Sequence, residues 1–277
     1  MDDAIEVKDL CVKLPGFQLK NVNLHIPKGV VAGVIGKNGA GKTTLIKTLA
    51  DVYAIESGSI KYGGLTLPKD NCAVKHMLGV VYDSLFYPAN LKASAIAKTI
   101  GTFYDDFDMD KWQKWMDKFH LKVNQAPGVY SKGMQMKFML AMMLARNPQI
   151  LLLDEPTAGL DPAARAELME VIQEFMMDEE HTVVFSTHIT SDLDKVADYI
   201  AMVADGQVVL ADEKEALLDR YALVQVTKEQ MTQEHRSFMM GVKENTFGYT
   251  GLTQHKDAFE RTARPTIEDL LIYYENV

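Results

Sequence analysis

A glycine-rich loop between an apolar strand and an apolar helix constrains this chain of 277 residues more than any other feature. The loop follows the predicted strand Val30–Ile35 and precedes the helical pattern Leu45–Leu49. Its spacing is that of a P-loop, whose glycines let backbone N–H groups and the next helix N-terminus surround nucleotide phosphates. The predicted nucleotide-binding residues are Gly36, Asn38, Gly39, Gly41, Lys42, Thr43 and Thr44. The sequence therefore predicts a site for ATP or GTP.

Two side chains of this loop have specific predicted roles. Lys42 is expected to reach the β- and γ-phosphates, and the Thr43 hydroxyl is expected to ligate a Mg²⁺ ion. A glycine-rich turn could match the pattern by chance, but every fixed position is filled and the flanking strand and helix are those that a P-loop requires. Binding of the nucleotide together with Mg²⁺ is therefore expected.

An acidic pair follows a second apolar strand, Ile150–Leu153. Ligands of open α/β sheets bind at the carboxyl ends of strands, which is where Asp154 and Glu155 stand. Asp154 is the predicted carboxylate on the Mg²⁺ side, and Glu155 is the predicted general base that takes the proton of the attacking water. An Asp-Glu-Pro sequence could instead be a strand that turns towards solvent, and other P-loop families take their base from elsewhere. Beside the P-loop, the pair favours nucleotide hydrolysis.

Composition and charge exclude several classes of protein. The net charge of −9 argues against a nucleic-acid partner, because such proteins usually carry a basic excess. Two cysteines, Cys11 and Cys72, are too few for a disulfide framework and fit a reducing compartment. The acidic start lacks the order of a secretory signal, and no apolar run is long enough to span a bilayer. We therefore expect a protein that is soluble by itself.

Three zones follow one another along the chain. β-rich runs with one helix come first, a helical zone covers about residues 87–146, and strands then alternate with helices in the rhythm of a mostly parallel sheet. Within these zones, helices are expected to begin after the capping residues Asn90, Asp108, Ser131 and Asp161. From Glu213 the rhythm fades. The pattern predicts an α/β domain over residues 1–212 and a small mixed extension over residues 213–277.

Further motifs occur in a fixed order around the acidic pair. They are Ser131-Lys132-Gly133-Met134-Gln135 before it, Ala158-Gly159-Leu160-Asp161 after it, and Ser186-Thr187-His188 at the end of the next predicted strand. In this order they resemble the signature motif, the D-loop and the switch histidine of ATP-binding-cassette (ABC) proteins. Taken singly, the first would be an ordinary capped helix and His188 a structural histidine. The complete series, from about Ile5 to Leu210, is specific to that family.

The resemblance implies an ABC-type P-loop NTPase fold, with a RecA-like core, an antiparallel β subdomain, a helical subdomain and a small C-terminal extension. It also implies that two copies close head to tail over two ATP molecules. The signature residues that would then act in trans are Ser131, Gly133 and Gln135. His188 would sense the γ-phosphate beside the catalytic Glu155, and Asp161 would belong to the D-loop.

The expected function follows from the same resemblance. The chain would hydrolyse ATP with Mg²⁺ and drive a separate transmembrane permease subunit at the cytoplasmic face of the cell membrane, as a homodimer or as a heterodimer with a related ATPase. The signature and the segment Ala263–Leu270 resemble bacterial antibiotic and peptide exporters, including phenol-soluble-modulin exporters, so a peptide or amphipathic substrate is expected. The alternatives are a soluble ABC ATPase acting on ribosomes or DNA, and a regulatory or immunity subunit that binds ATP without powering transport.

Two positions depart from the family pattern. The glutamine of the family's Q-loop should follow the predicted strand Met77–Tyr82, where this chain has Asp83. We expect Asp83 to approach the Mg²⁺ ion in its place, with a solvent-facing turn residue as an almost equal alternative. The position of the aromatic residue that stacks on adenine holds Leu14 instead. Base stacking is therefore expected to be weak or to come from the nearby Phe17.

Overall fold

The computed structural model describes residues 2–274, which form strands and α-helices joined by turns. The strands are β1 (Asp3–Leu14), β2 (Phe17–Pro27), β3 (Val31–Ile35), β4 (Ser57–Tyr62), β5 (Leu65–Leu67), β6 (Leu78–Val81), β7 (Ile150–Asp154), β8 (Thr182–Thr187), β9 (Tyr199–Ala204), β10 (Gln207–Glu213), β11 (Ala222–Val226), β12 (Met240–Asn245), β13 (Gly248–Thr253) and β14 (Thr262–Ala263). The α-helices are α1 (Lys42–Leu49), α2 (Asn71–Met77), α3 (Ala93–Ile100), α4 (Met109–Lys118), α5 (Lys132–Leu144), α6 (Pro162–Phe175), α7 (Thr190–Val196), α8 (Lys214–Arg220), α9 (Gln233–Phe238) and α10 (Ile267–Tyr274). Over these residues no helix has both the length and the apolar character that crossing a bilayer requires.

Buried apolar strands build the central sheet. β3 and β7 are buried along their full length, as parallel strands covered on both faces are. The strand order is β10-β9-β3-β8-β7-β6, with β10 antiparallel at one edge and the other strands parallel. The predicted α/β fold is confirmed. Asp154 pairs with Ser186 and Ile35 pairs with Thr187. The P-loop and the acidic pair therefore lie together at the carboxyl ends of the parallel strands.

Two hydrophobic cores cover the two faces of this sheet. Leu151 and Leu153 belong to one core and Ile150 and Leu152 to the other, because successive side chains of a strand point to opposite faces. One core lies against α1 and a four-stranded antiparallel sheet of order β2-β1-β4-β5. The other lies against the helices α3 to α7. This packing fixes β3, β7 and β8 rigidly beneath the candidate site.

Three of the predicted helix caps are present. The Asp108 carboxylate accepts hydrogen bonds from the first N–H groups of α4, and the Ser131 hydroxyl accepts one from Met134 N at 3.3 Å. Asp161 Oδ1 accepts from Ala164 N at 2.9 Å, with Pro162 in the first helical position. Such caps typically contribute about 1 kcal/mol to helix stability. They set where α4, α5 and α6 begin.

The prediction that Asn90 caps the first helix of the helical zone is wrong. α3 begins at Ala93, after an N-cap residue, Lys92, whose side chain makes no capping hydrogen bond. The first two N–H groups of α3 donate instead to the carbonyl oxygens of Gln125 and Val123, both at 2.9 Å. Because a returning segment supplies these acceptors, the helix start needs no side-chain cap.

A second antiparallel sheet, of order β12-β13-β11-β14, follows the central sheet along the chain. The predicted boundary at residue 212 lies inside β10, which ends at Glu213. Helix α10 packs against α7, and its residues Ile267 and Leu270 join the same core as Leu193. The C-terminal segment therefore packs against α7, the helix that begins two residues after His188.

Candidate active site

The P-loop forms the turn between β3 and α1 and is closely surrounded. Gly36 and Gly41 have φ angles of +155° and +117°, which other residues rarely adopt. A Cβ atom at Gly36 would lie 2.3 Å from the carbonyl oxygen of Val203, and one at Gly41 would lie 2.7 Å from Phe17 Cζ. Both positions therefore require glycine. α1 starts directly after Gly41 without a side-chain cap, an arrangement that suits a phosphate at the helix start.

The other predicted residues of the loop line its open side. Asn38 and Gly39 are exposed at the tip, Thr43 is exposed in the first turn of α1, and Thr44 is half-buried beside it. The ring of Phe17 is half-buried, with its edge against Gly41. Phe17 therefore lies beside the phosphate loop, and its stacking on the base stays a prediction.

Lys42 is buried, with its side chain 5% exposed. Its Nζ atom donates hydrogen bonds to the carbonyl oxygens of Gly36 at 2.8 Å and Lys37 at 3.2 Å. The same atom lies 3.2 Å from Glu155 Oε1. A buried ammonium group needs such partners, because burial without them is costly. The loop thus holds a cation at its centre, where phosphate oxygens can replace these acceptors.

Asp154, at the end of β7, is bound by two hydroxyl groups. Ser186 Oγ donates to Asp154 Oδ1 at 2.7 Å, and Thr43 Oγ1 donates to the same oxygen at 3.1 Å. Burial raises the pKa of Asp154 above its usual value, and these two hydrogen bonds oppose the shift. The negative charges of Asp83 and Glu155 raise the pKa further. A buried carboxylate in a negative environment is a good partner for a cation.

Glu155 lies between a cation and an imidazole. Its Oε2 atom is 2.7 Å from His188 Nδ1, and its Oε1 atom faces Lys42. The backbone of Glu155 has φ +48°, a left-handed conformation that is uncommon outside glycine. The carboxylate contacts both partners and keeps 15% of the side-chain surface exposed. The structure thus brings together Lys42 and the two residues of the predicted catalytic pair.

Ser186 is a site residue that sequence reasoning missed. Besides its bond to Asp154, its Oγ atom accepts a hydrogen bond from Glu155 N at 3.0 Å, so one hydroxyl joins both carboxylate residues. The sequence placed Ser186 in the switch motif but gave it no role. Asp154 ends β7 and Glu155 follows it, whereas Ser186 lies on β8, so only the strand register brings them together.

Asp83 is exposed in the turn that follows β6. Val81, at the end of β6, pairs with Leu153, so this turn lies beside Asp154. The negative charge of Asp83 contributes to the raised pKa of Asp154. Tyr82, the residue before it, also has a raised pKa, owing first to burial and then to the charge of Asp154. The turn after β6 therefore borders the acidic side of the site.

The signature residues make their contacts with their own part of the chain. Ser131 is exposed and its hydroxyl caps α5, while Gly133 approaches Ala164 at the start of α6. Gln135 Nε2 donates to the carbonyl oxygens of Pro127 and Tyr130, at 3.2 and 3.3 Å, and so holds the segment before the motif. The exposed start of α5, rather than Gln135, is free to meet a ligand.

Comparison with known proteins identifies the family of this chain. The ABC transporter family matches residues 19–158. The lantibiotic transport ATP-binding protein SrtF of Streptococcus pyogenes is 34% identical over 197 residues, which cover 70% of this chain and 84% of SrtF. The ABC transporter ATP-binding protein NatA of Bacillus subtilis is 30% identical over 210 residues, covering 73% of this chain and 84% of NatA. A solved ATP-binding subunit of an ABC transporter shares the fold, with a TM-score of 0.71 at 23% identity over 78% of this chain and 92% of that one. The chain therefore belongs to the ABC transporter family, as an ATP-binding subunit that hydrolyses ATP.

Proposed function

We propose that this subunit powers the export of a peptide or an amphipathic compound, as one half of a pair of ATP-binding subunits. The observation that carries the hydrolytic mechanism is the position of Glu155, whose two carboxylate oxygens face Lys42 and His188. A base, a phosphate-binding cation and a second polar group that orients the base are what hydrolysis of a γ-phosphate needs.

Each of these residues has one task in the proposed reaction. Lys42 exchanges its carbonyl partners for β- and γ-phosphate oxygens, and this exchange releases Glu155. Glu155 then takes a proton from the water whose oxygen attacks the γ-phosphorus, while the bond to the β–γ bridging oxygen breaks and ADP leaves. His188 holds the carboxylate in position and faces the γ-phosphate with its other ring nitrogen.

Thr43 and Asp154 fit a Mg²⁺ ion. Magnesium prefers oxygen ligands and is usually held by one or two carboxylates together with phosphates and water. The hydroxyl groups of Ser186 and Thr43 both donate to Asp154 Oδ1, so the other carboxylate oxygen, Oδ2, is the one that we assign to the ion or to its water. When bound, the ion neutralises charge on the β- and γ-phosphates. Asp83 is the second carboxylate that we assign to this side of the site.

A composite site between two copies is part of the proposal. Ser131 occupies the exposed start of α5, where the hydroxyl and the positive end of the helix dipole can meet an anion. We infer that this anion is the γ-phosphate bound by the P-loop of a second subunit, arranged head to tail. A homodimer and a heterodimer with a related ATPase both satisfy this arrangement.

Exposed apolar side chains next to Asp83 support a membrane partner. Phe86, Leu91 and Val129 are 45%, 47% and 73% exposed. The turn that carries Val129 is joined to the segment of Phe86 and Leu91 by the hydrogen bond from Gly128 N to the carbonyl oxygen of Ala89, at 2.9 Å. Neighbouring apolar side chains in water mark interaction surfaces. We propose that a separate permease subunit covers them at the cytoplasmic face of the membrane.

The similarity to SrtF, a lantibiotic transport ATP-binding protein, supports a peptide substrate. The two alternatives are a soluble ABC ATPase and a regulatory or immunity subunit that does not power transport. Purification from membranes distinguishes an exporter subunit from both alternatives. An exporter subunit should be recovered with an integral membrane protein, and that complex should hydrolyse ATP faster than the subunit alone. Recovery of ribosomes instead, or a complex without ATPase activity, would favour an alternative.

Lys42→Ala should weaken ATP binding by about 10- to 100-fold, because charge-assisted hydrogen bonds to the phosphates are lost. Titration calorimetry of the isolated subunit measures this affinity. Lys98→Ala is the matched control, since Lys98 is an exposed lysine on α3 and its loss should leave ATP affinity unchanged. Equal affinities for the Lys42 variant and the wild type would show that the loop is not the nucleotide site.

Asp83→Ala should lower ATPase activity, raise the Mg²⁺ concentration needed for half-maximal rate, and weaken stimulation by the membrane partner. The physical reason is the loss of a carboxylate beside the proposed Mg²⁺ position. Asp83→Gln, which restores the family residue, should recover much of the activity. Steady-state rates over a series of Mg²⁺ concentrations decide the matter, and an unchanged Mg²⁺ dependence in Asp83→Ala would reduce the residue to a turn former.

A further inference from the structure

Arg146 is a buried cation outside the nucleotide site. It lies two residues after the end of α5 and is 4% exposed. Burying a guanidinium group is costly unless its donors are satisfied. Nη2 donates to the carbonyl oxygen of Lys75 at 2.9 Å, and Nη1 donates to that of Leu78 at 3.3 Å. These carbonyls belong to the last turn of α2 and the first residue of β6, where the helix dipole also favours a cation.

The same guanidinium group contacts the helical zone. Its central carbon lies 3.7 Å from the centre of the Tyr104 ring, which is a stacked cation–π contact. Among residues 2–274, no group forms a hydrogen bond with its Nε atom, which lies 3.8 Å from Asp106 Oδ1. Tyr104 and Asp106 belong to the segment between α3 and α4. One side chain thus joins the end of α5, the base of β6 and the α3–α4 segment.

The elements that Arg146 joins lead to two residues of the proposed site. α5 starts after Ser131, and β6 ends two residues before Asp83. α5 has 13 residues. A helix of that length is about 20 Å long, so a tilt of about 5° at its end moves its start by about 2 Å. Since a displacement of about 1 Å can cost about 100-fold in rate, small changes at Arg146 matter for Ser131.

We propose that Arg146 is a positioning residue for ATP hydrolysis. It holds α5 and β6 in a fixed relative position. When the helical zone moves, Ser131 at the start of α5 and Asp83 after β6 therefore move together. The side chain of Arg146 contacts α2, β6 and the α3–α4 segment, so it acts on the site through these elements. The inference rests on the proposed composite site, because Ser131 affects hydrolysis only if it faces the nucleotide of a second copy.

Arg146→Met tests the proposal. Methionine keeps much of the aliphatic volume but removes the planar donor group. ATP affinity of the isolated subunit should stay at the wild-type value, while kcat should fall at least about 10-fold because Ser131 is displaced. Stimulation by the membrane partner should be lost as well. Arg146→Lys should recover only part of kcat, because an ammonium group cannot bond both carbonyls and stack on Tyr104.

Calorimetry gives the affinity, phosphate release gives kcat, and circular dichroism confirms that each variant is folded at the assay temperature. A purely structural role would lower stability without separating affinity from kcat. A folded Arg146→Met subunit with wild-type kcat and normal stimulation would overturn the proposal.

A second pair of variants keeps the test valid if Arg146→Met does not fold. Tyr104→Leu removes the aromatic face, whereas Tyr104→Phe keeps it, so only the former should lower kcat at unchanged ATP affinity. Asp106→Ala removes the carboxylate beside Arg146, and Asp105→Ala, at the exposed residue before it, is the matched control. Only Asp106→Ala should lower kcat, again at unchanged ATP affinity. Wild-type kcat in both Tyr104→Leu and Asp106→Ala would overturn the role of Arg146.

Ser131→Arg distinguishes a failure of this inference from a failure of the composite site. If Ser131→Arg hydrolyses ATP normally, the composite site is wrong and the role of Arg146 falls with it. If Ser131→Arg is inactive while folded Arg146→Met is fully active, the composite site stands and only the inference about Arg146 is wrong.

Discussion

Glu155→Gln is expected to bind ATP as the wild type does and to hydrolyse it at least about 10²- to 10⁴-fold more slowly, the loss typical of a missing general base. An amide cannot accept the proton of the attacking water, although it keeps nearly the same shape between Lys42 and His188. Unhydrolysed ATP should then hold two subunits together. Gel filtration with ATP should therefore show the variant as a dimer, and phosphate release should show the loss of turnover.

Glu170→Gln is the matched control, because Glu170 is an exposed glutamate on the neighbouring helix α6. It should hydrolyse ATP at the wild-type rate and should not accumulate as an ATP-bound dimer. Turnover near the wild-type rate in Glu155→Gln would remove Glu155 from the role of base. The base would then have to be sought elsewhere at the same sheet edge.

Ser131→Arg is the second change with a large expected effect. The isolated subunit should bind ATP normally, because its own P-loop is untouched and Ser131 makes its hydrogen bond within α5. Hydrolysis should be abolished, because a long cationic side chain at the start of α5 would prevent a second subunit from closing on it. Calorimetry and phosphate release on the same preparation separate these two effects. Normal ATPase activity would mean that no nucleotide meets Ser131.

Mixing Ser131→Arg with Lys42→Ala sharpens this test. A mixed dimer has one nucleotide site with both defects and one site with neither, so part of the activity should return on mixing. At an ATP concentration too low to fill the Lys42→Ala site, each variant alone should remain inactive at the same total protein concentration. If mixed dimers form and no activity returns, either the composite site is wrong or both sites must hydrolyse together.

Patterns of residues that are close together in the sequence predicted most of the features that the structure contains. The P-loop, the acidic pair after β7 and the caps of α4, α5 and α6 are contiguous in the chain, and their spacing alone defines the local geometry. The α/β fold was predictable for the same reason, since buried apolar strands alternate with helices of suitable length. The resemblance to ABC proteins then gave an order to motifs that are ambiguous singly, such as His188.

The sequence by itself determined the loop that binds phosphates, the carboxylates beside it and the family. The loop and the carboxylates are short motifs of consecutive residues, and the family follows from the order of such motifs along the chain. Only the tertiary structure decided which distant groups complete the site. Ser186 joins Asp154 and Glu155 because β7 and β8 are paired in one register, and Arg146 reaches Lys75 and Leu78 because α5 ends against β6. The start of α3 is likewise capped by carbonyl oxygens from a returning segment rather than by Asn90. Buried polar groups must find partners wherever packing offers them, and packing is a property of the whole chain.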